Sequence, residues 1–455
     1  MSALGGGRMF SFPDSLYCDV RIEEVFQTQI AFVFGNVQEM LERRYEAAFI
    51  RVFDGKRWYY SATSAIDTIQ EHINRLASIA TPSRQVVEHP VIQKLEAHRE
   101  TLLLFSGSES VSSKSIREKY DLLSHYFPII ENYEYIRFWM AHYVDELRKK
   151  HFVSSKGADL TFDYQKIGIH FGYEMNLNDN QVKDSFSYGT HAYRKIETQD
   201  RKFANTLNRS VDFLKRAKNI ESGRYPVILS PIAAGIFAHE SFGHLSESDT
   251  YQGDQALKER WVIGKQVAHK NLSIVDDGNV PGMGYTPFDD EGTKARKTYL
   301  IRDGVMVGRL HNAATAVDFN ENLTGNARAS SFEYEPIVRM TNTYIESGKK
   351  PLCLLIGEVD NGFLIETIGS GFGSTNFTIS PVIAYRIRKG TIAEPVKISL
   401  LAGNAFETLF KIDGISDEAI LSENPFISCT KRDQSMLPID FGGPYVRLSE
   451  IDVVG

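Results

Sequence analysis

The sequence predicts an α+β protein: an N-terminal α+β domain over residues 1–222, then a β-rich C-terminal domain over residues 223–455 that carries one distinctive helix. Three observations lead there. A chain of 455 residues is long enough for two or three domains. Its first half mixes stretches of two-residue hydrophobic period with stretches whose period is near 3.6. Beyond residue 255, short apolar runs are separated by Gly, Asn and Asp turns, as in SIVDDGNVPG, YLIRDGVMVG and CLLIGEVDNGFLIETIGSGFG.

Residues 17–60 read as strands, because CDVRIEEVFQTQIAFVFG partly alternates apolar and polar. FIRVFDGKRWYYSA reads as a hairpin turning at Asp54-Gly55. A helix follows, with Ile66, Ile69, Ile73 and Leu76 as its apolar stripe. Residues 130–150 read as a second helix that buries Ile136, Met140, Tyr143 and Leu147. Residues 160–174 return to strand, and 200–218 to helix, with Leu207, Val211 and Leu214 on one side. Glu221 to Pro226 is a break and marks the expected boundary. Val227-Ile228-Leu229 is a short buried strand, and a helix begins near Pro231, a residue tolerated in a first turn.

Composition excludes several functions. Hydrophobic residues make up 42% and charged residues 24%, a globular mix. Lys and Arg total 51 against 58 Asp and Glu, a net charge of −7 with no long basic run, which argues against nucleic acid as a partner. Cys18, Cys353 and Cys429 are three and widely spaced, so a disulfide framework is not expected and a reducing cytoplasm fits. The first fifteen residues lack a signal-like apolar stretch, and no run of about 18 apolar residues occurs, so no membrane span is expected. Gly369-Ser-Gly-Phe-Gly373 is not followed by a helix and reads as close backbone approach at a sheet edge or cleft, rather than a phosphate loop.

The chemistry centres on Ala238-His239-Glu240-Ser241-Phe242-Gly243-His244. It resembles the zinc-protease pattern of two histidines and a glutamate on a helix, but with the histidines five apart, not four. Four residues of α-helix turn about 40° past one full turn, and five turn about 140° past it. The pair can face one metal only through a π-bulge or a helix break, and Gly243 eases both. The motif alone leaves open that both histidines are ordinary helix residues. Glu247 and Asp249 follow closely enough to accept from histidine N–H groups, or to form a solvated helix end.

A catalytic zinc commonly has three protein ligands and an open position. Cys18 falls in a strand, and Cys353, in Pro-Leu-Cys-Leu-Leu-Ile, reads as a buried hydrophobe. Cys429 lies in a polar loop, where Lys431 and Arg432 favour its thiolate. Composition ranks Cys429 only modestly ahead of Cys353.

Several long segments, in order, decide the matter: HESFGHLSESD, GYTPFDDEGTKARKTYLIRDGVMVG, LTGNARASSFEYEPIVRMTNTYIESGK and SCTKRDQSMLPIDFGGPYVRLSEIDVVG. Together they resemble the TldD/PmbA family of zinc metallopeptidases, in its metal-bearing TldD-like branch. The resemblance implies Zn2+ held by His239, His244 and Cys429, with Glu240 as general base. It further implies a dimer, formed with itself or with a PmbA/TldE-like chain. Where relatives often have Gly-Lys-x-Gly-Gln after the cysteine, this chain has Thr430-Lys431-Arg432-Asp433-Gln434, so the loop there is expected to differ in shape. A thiolate ligand weakens the zinc as a Lewis acid and puts more weight on Glu240.

The function expected is hydrolysis of unfolded or extended peptides, held by strand addition. The rival reading is a zinc-stabilised regulatory or interaction protein without turnover, whose site would be closed by a fourth ligand.

Overall fold

Long antiparallel strands build the first half of the structure, a computed structural model that describes residues 10–105, 107–251, 254–373 and 376–455. The first nine residues of the N-terminal stretch that lacks a signal-like segment lie outside the described residues. Tyr17–Val33 pairs with Asn36–Phe53 through a two-residue turn, Phe34-Gly35, with φ of 50° and 71°. Such turns require left-handed backbone at both positions. The hairpin expected at Asp54-Gly55 is present: Phe53 opposes Trp58, and Asp54 Oδ1 accepts from Lys56 N and Arg57 N at 2.9 Å each. The sheet runs Trp58–Thr63, Asn36–Phe53, Tyr17–Val33, Ile136–Ser154, Asp159–Leu177, Arg99–Leu102, and Asn180–Thr190 also pairs with Asp159–Leu177. Helix Ile69–Ile79 buries Ile69, Ile73 and Leu76 against one face. Helix Asp200–Arg216 buries Phe203, Leu207 and Leu214 in a core shared with Phe171 and Phe186.

The second helix expected over 130–150 is not there. Ile136–Ser154 is a nineteen-residue strand, paired on both sides. Its burial follows a two-residue period, through Trp139, Ala141, Tyr143 and Asp145, then Glu146, Arg148, Lys150 and Phe152. Its charged residues Asp145, Glu146, Arg148 and Lys150 point into the protein, where partners receive them. This inverts the polar and apolar faces on which a periodicity reading depends.

Those partners join the two halves. Glu23, fully buried, lies 2.7 Å from Arg148, 3.0 Å from Arg21 and 3.8 Å from Lys150. Lys150 continues to Asp290 at 2.5 Å, and Arg51 bridges Asp19 at 2.7 Å and Glu291 at 3.0 Å. Strands of the first sheet thereby grip the segment Asp289 to Glu291 of the second half.

In the second half, a sheet runs Asn361–Gly373, Gly223–Leu229, Val446–Val454, Leu400–Asn404, Asn376–Arg388, Thr391–Lys397, Lys218–Asn219. Asn361–Gly373 also pairs with Asn376–Arg388, which closes its first five strands into a ring. The strand expected at Val227–Leu229 is longer, Gly223–Leu229, with only its last three residues buried. A six-stranded sheet packs nearby in the order Val305–Met306, Lys297–Arg302, Ile274–Asp277, Asn342–Ile345, Asp440–Gly443, Ile420–Leu421. Short helices interrupt this β-rich half, at Gln255–Arg260, Ala313–Asp318, Leu352–Gly357 and Ala405–Phe410. One of them carries Cys353, which is exposed rather than buried, because Leu355 and Ile356 take the inner face of its turn. The Gly369 to Gly373 run lies in strand Asn361–Gly373, and a Cβ on Gly371 would meet Ile236 Cγ2 at 2.5 Å. The α+β class is as expected, and among the described residues no helix is long and apolar enough to cross a membrane.

The lattice makes a pH-dependent prediction. Burial would raise the Glu146 carboxyl, but Arg148 and Lys166 outweigh it and hold the group down at about 2. A depressed carboxylate stabilises the fold above its unfolded value, and the contribution is lost as pH falls toward about 2. Arg148→Met takes from Glu146 its ion-pair partner and from Glu23 one of three, and is expected to cost about 3–5 kcal/mol at pH 7. That deficit should narrow as pH falls through the ordinary carboxylate range, measured by urea unfolding at pH 7 and about pH 3.

Candidate metal centre

The site begins where strand Gly223–Leu229 turns into helix Pro231–Ala238, with Pro231 in the first turn and Ser230 N donating to Ile365 O at 2.9 Å. The small residues of PIAAGIFA bring the helix close to its neighbours: a Cβ on Gly235 would stand 2.5 Å from Gly442 N. Helix geometry then changes. His239–Gly243 is a π-helical turn, and His244 N donates to His239 O, a five-residue hydrogen bond. The ring width matches the histidine spacing, so both imidazoles share a face, with centroids 4.9 Å apart and planes at 76°. The deviation expected from the spacing is therefore present as a π turn.

Gly243 serves a different purpose from the one expected. Its φ of −56° is ordinary helical backbone, so conformational freedom is not what the position uses. A Cβ there would lie 2.2 Å from Met340 Sδ, and glycine lets the π turn seat on that side chain.

Cys429 arrives from the other side. It sits in strand Ser428–Lys431, paired with Gln434–Pro438 through Arg432-Asp433, and not in a loop. The fully buried Arg339 fixes this hairpin, with Nη2 donating to Cys429 O at 2.6 Å. Gln434 holds its return, donating to Glu335 O at 2.8 Å and accepting from Ser330 N at 3.1 Å. Cys429 is buried among Ile439, Phe441, Ile232, Ile236 and Ile427. Its Sγ lies 3.6 Å from His244 Nε2, and one ligand atom from each of His239, His244 and Cys429 lies within 4.8 Å of the others.

The surroundings tune this trio. His244 Nδ1 faces Glu247 Oε2 at 3.0 Å. Of the two acceptors considered, Glu247 takes the histidine, and Asp249 instead binds Lys431 at 2.6 Å. Burial would raise Glu247, but Lys431 and His244 hold it at about 2, ionised. Burial would also raise the Cys429 thiol, yet the two imidazoles bring it down to about 5. The histidines, not Lys431 and Arg432, favour the thiolate. His239 Nδ1 is buried with no hydrogen-bond partner.

Two imidazoles and a thiolate form a nitrogen and sulfur donor set suited to a metal such as zinc. Together with the unsatisfied His239 nitrogen and the carboxylate behind His244, they fit a metal ion. Glu240, the residue after His239, is partly exposed and has no hydrogen-bond or ion-pair partner among the described residues. The sequence did not single out Arg339 or Gln434. Their only signal is a charged or amide residue set in an otherwise apolar or turn segment.

Comparison with known proteins gives the family. Residues 222–455 match the PmbA/TldA metallopeptidase C-terminal domain, and residues 18–80 match domain 1 of the same family. The chain belongs to the TldD/PmbA family of metallopeptidases. A metalloprotease of Synechocystis is 29% identical over 443 residues, covering 96% of this chain and 95% of that protein. A zinc metalloprotease TldD homolog of Saccharolobus solfataricus is 26% identical over 455 residues, covering 96% of each. The fold matches a Thermotoga maritima protein described as a modulator of a DNA gyrase, with a TM-score of 0.77 at 18% identity and 96% of each chain covered. It also matches TldE from Thermococcus kodakarensis, with a TM-score of 0.74 at 16% identity, covering 96% of this chain and 97% of that one.

Two substitutions probe the centre. Cys429→Ser is expected to lower bound metal sharply, and the exposed Cys353→Ser to leave it unchanged, as read by elemental analysis of purified protein. Gly243→Ala is expected to cost about 1–3 kcal/mol, by forcing Met340 or the π turn to move. A melting curve measures that loss.

Proposed function

We propose that the protein is a zinc-dependent peptidase acting on unfolded or extended peptides, with His239, His244 and Cys429 as ligands and Glu240 as general base. The observation that carries this reading is the convergence of the three ligand atoms, with His239 followed in the chain by a glutamate that no other described residue engages. A zinc ion held by His239, His244 and Cys429 would supply Lewis acidity at this site. Glu240 would act as general base toward the attacking water and would pass the proton on to the leaving amine. Glu247 keeps His244 oriented through Nδ1. The apolar wall of Ile232, Ile236, Ile427 and Phe441 limits water around Cys429.

An extended substrate has a place to lie. Strand Asn361–Gly373 pairs with Gly223–Leu229 only over Phe363 to Ile365, and beyond that this edge has no partner strand among the described residues. A cavity of about 570 Å³ lies alongside, lined in part by Thr367, Ile368, Ile232 and Ile427. The last two also pack in the Cys429 cluster. Strand addition there would read peptide backbone, and would suit broad specificity.

With a domain boundary at residue 222, the C-terminal unit holds every proposed ligand. The family resemblance motivates assembly as a homodimer, or with a PmbA/TldE-like chain. The free state of all three cysteines suits a cytoplasmic setting. The rival, a zinc-stabilised protein without turnover, needs a closing fourth ligand, and the cluster found among the described residues offers three.

Glu240→Gln separates the two. A general base predicts near-normal zinc content and melting temperature, with hydrolysis of a disordered peptide reduced by about 10²–10⁴-fold. Zinc retention with near-normal cleavage would remove Glu240 from the mechanism. Assembly is checked by light scattering at micromolar concentration, where a dimer is expected.

A further inference from the structure

An ammonium group ties the two arms of the centre to one another. Lys431 is two residues beyond Cys429, on the same strand. Its side chain is 13% exposed, and its nitrogen lies 3.0 Å from Glu247 Oε2, 2.6 Å from Asp249 Oδ1 and 2.8 Å from Val338 O. An ammonium has three protons, and here it meets three acceptors. Two come from the segment that follows His244. The third belongs to the ribbon that leads into Arg339, the residue that binds the Cys429 carbonyl.

The contact with Glu247 is specific in its atoms. Lys431 approaches Oε2, the same oxygen that faces His244 Nδ1, while Oε1 is buried without a partner. Nothing else grips this carboxylate through a hydrogen bond among the described residues. Whatever fixes Oε2 therefore also fixes the tilt of the His244 ring.

We propose that Lys431 is a positioning residue: it sets Glu247, and through it His244, in register with Cys429, so that the ligands are organised before a metal arrives. The inference rests on the ligand assignment above. Charge contributes as well, since Lys431 and Arg432 together balance Glu247 and Asp249, with Arg432 lying 3.4 Å from Asp249 Oδ2. The basic residues after the cysteine thus serve the carboxylates behind the histidine rather than the thiol itself. Outer partners of metal-binding histidines typically change metal affinity by about 10–100-fold when removed.

The test is a Co2+ titration of the metal-free, full-length protein, read by the thiolate-to-cobalt charge-transfer band. Wild type is expected to develop the band. Lys431→Met is expected to develop the same band at about 10–100-fold higher free Co2+, in a metal-free protein that stays folded at the titration temperature but melts lower than wild type, because the buried Glu247 and Asp249 lose their shared partner. Because Lys431 acts through Glu247, adding Glu247→Gln to Lys431→Met should give a loss no larger than Glu247→Gln alone. Lys431→Arg, which keeps donors and charge, should recover part of the affinity. Should Lys431→Met fail to fold, Lys431→Gln is titrated in its place. Wild-type affinity in the Lys431 variant, or losses that multiply in the double variant, would overturn the proposal. Absence of the band in wild type would instead overturn the ligand assignment beneath it.

Discussion

Glu23, a carboxylate with no exposed surface, is the point on which the two halves of the molecule meet. Taking it and its partners Arg21, Arg148 and Lys150 out of water is costly, and such a cluster contributes little net stability by itself. Its effect is on arrangement. Lys150 reaches across to Asp290 Oδ1 and Arg21 to its Oδ2, which also accepts from Ala329 N at 2.8 Å, and Asp289 accepts from Ala327 N at 3.0 Å. These bonds fix the ribbon of Ala327–Arg328 and Ile337–Val338. Arg339 follows that ribbon and binds the carbonyl of Cys429. A continuous polar path therefore runs from the middle of the first sheet to the proposed sulfur ligand.

The histidine arm has a different origin. It depends on a helix that leaves the closed ring of strands and changes its hydrogen-bond span from four residues to five where the motif starts. A regular α-helix would send the two rings to different sides. The π turn is rare because its geometry is poorer, and it persists here under tight packing: Met340 against Gly243, and Gly442 against Gly235. One arm is thus placed by apolar packing and the other by buried charge.

Much of this was legible in the sequence, and the parts that were not share a cause. If both histidines were to face one metal, their five-residue spacing demanded a departure from α-helix, since that rests on arithmetic that no tertiary contact changes. The hairpin at Asp54-Gly55 and the helices Ile69–Ile79 and Asp200–Arg216 were readable from local chemistry. Strand Ile136–Ser154 was misread because Asp145, Arg148 and Lys150 are buried in ion pairs whose partners are remote in sequence. Cys353 was misread because a short helix exposes a residue that a strand would have buried. At the centre, the residue types were visible, but the source of the low thiol value was not. Lys431 and Arg432 adjoin Cys429 in the chain, and they spend their charge on carboxylates that the fold brings from elsewhere.

The hairpin bearing Cys429 meets His244 across 185 positions of chain. A metal ion bridging them would close a very large loop in the unfolded ensemble, the geometry in which a cross-link removes the most chain entropy. Metal-ligand bonds of that kind are also folding free energy, because the unfolded chain has no preformed site. Metal occupancy in this protein would accordingly register that the C-terminal strands have found their places, and a chain truncated or misfolded after residue 428 would remain metal-free however intact its histidine helix.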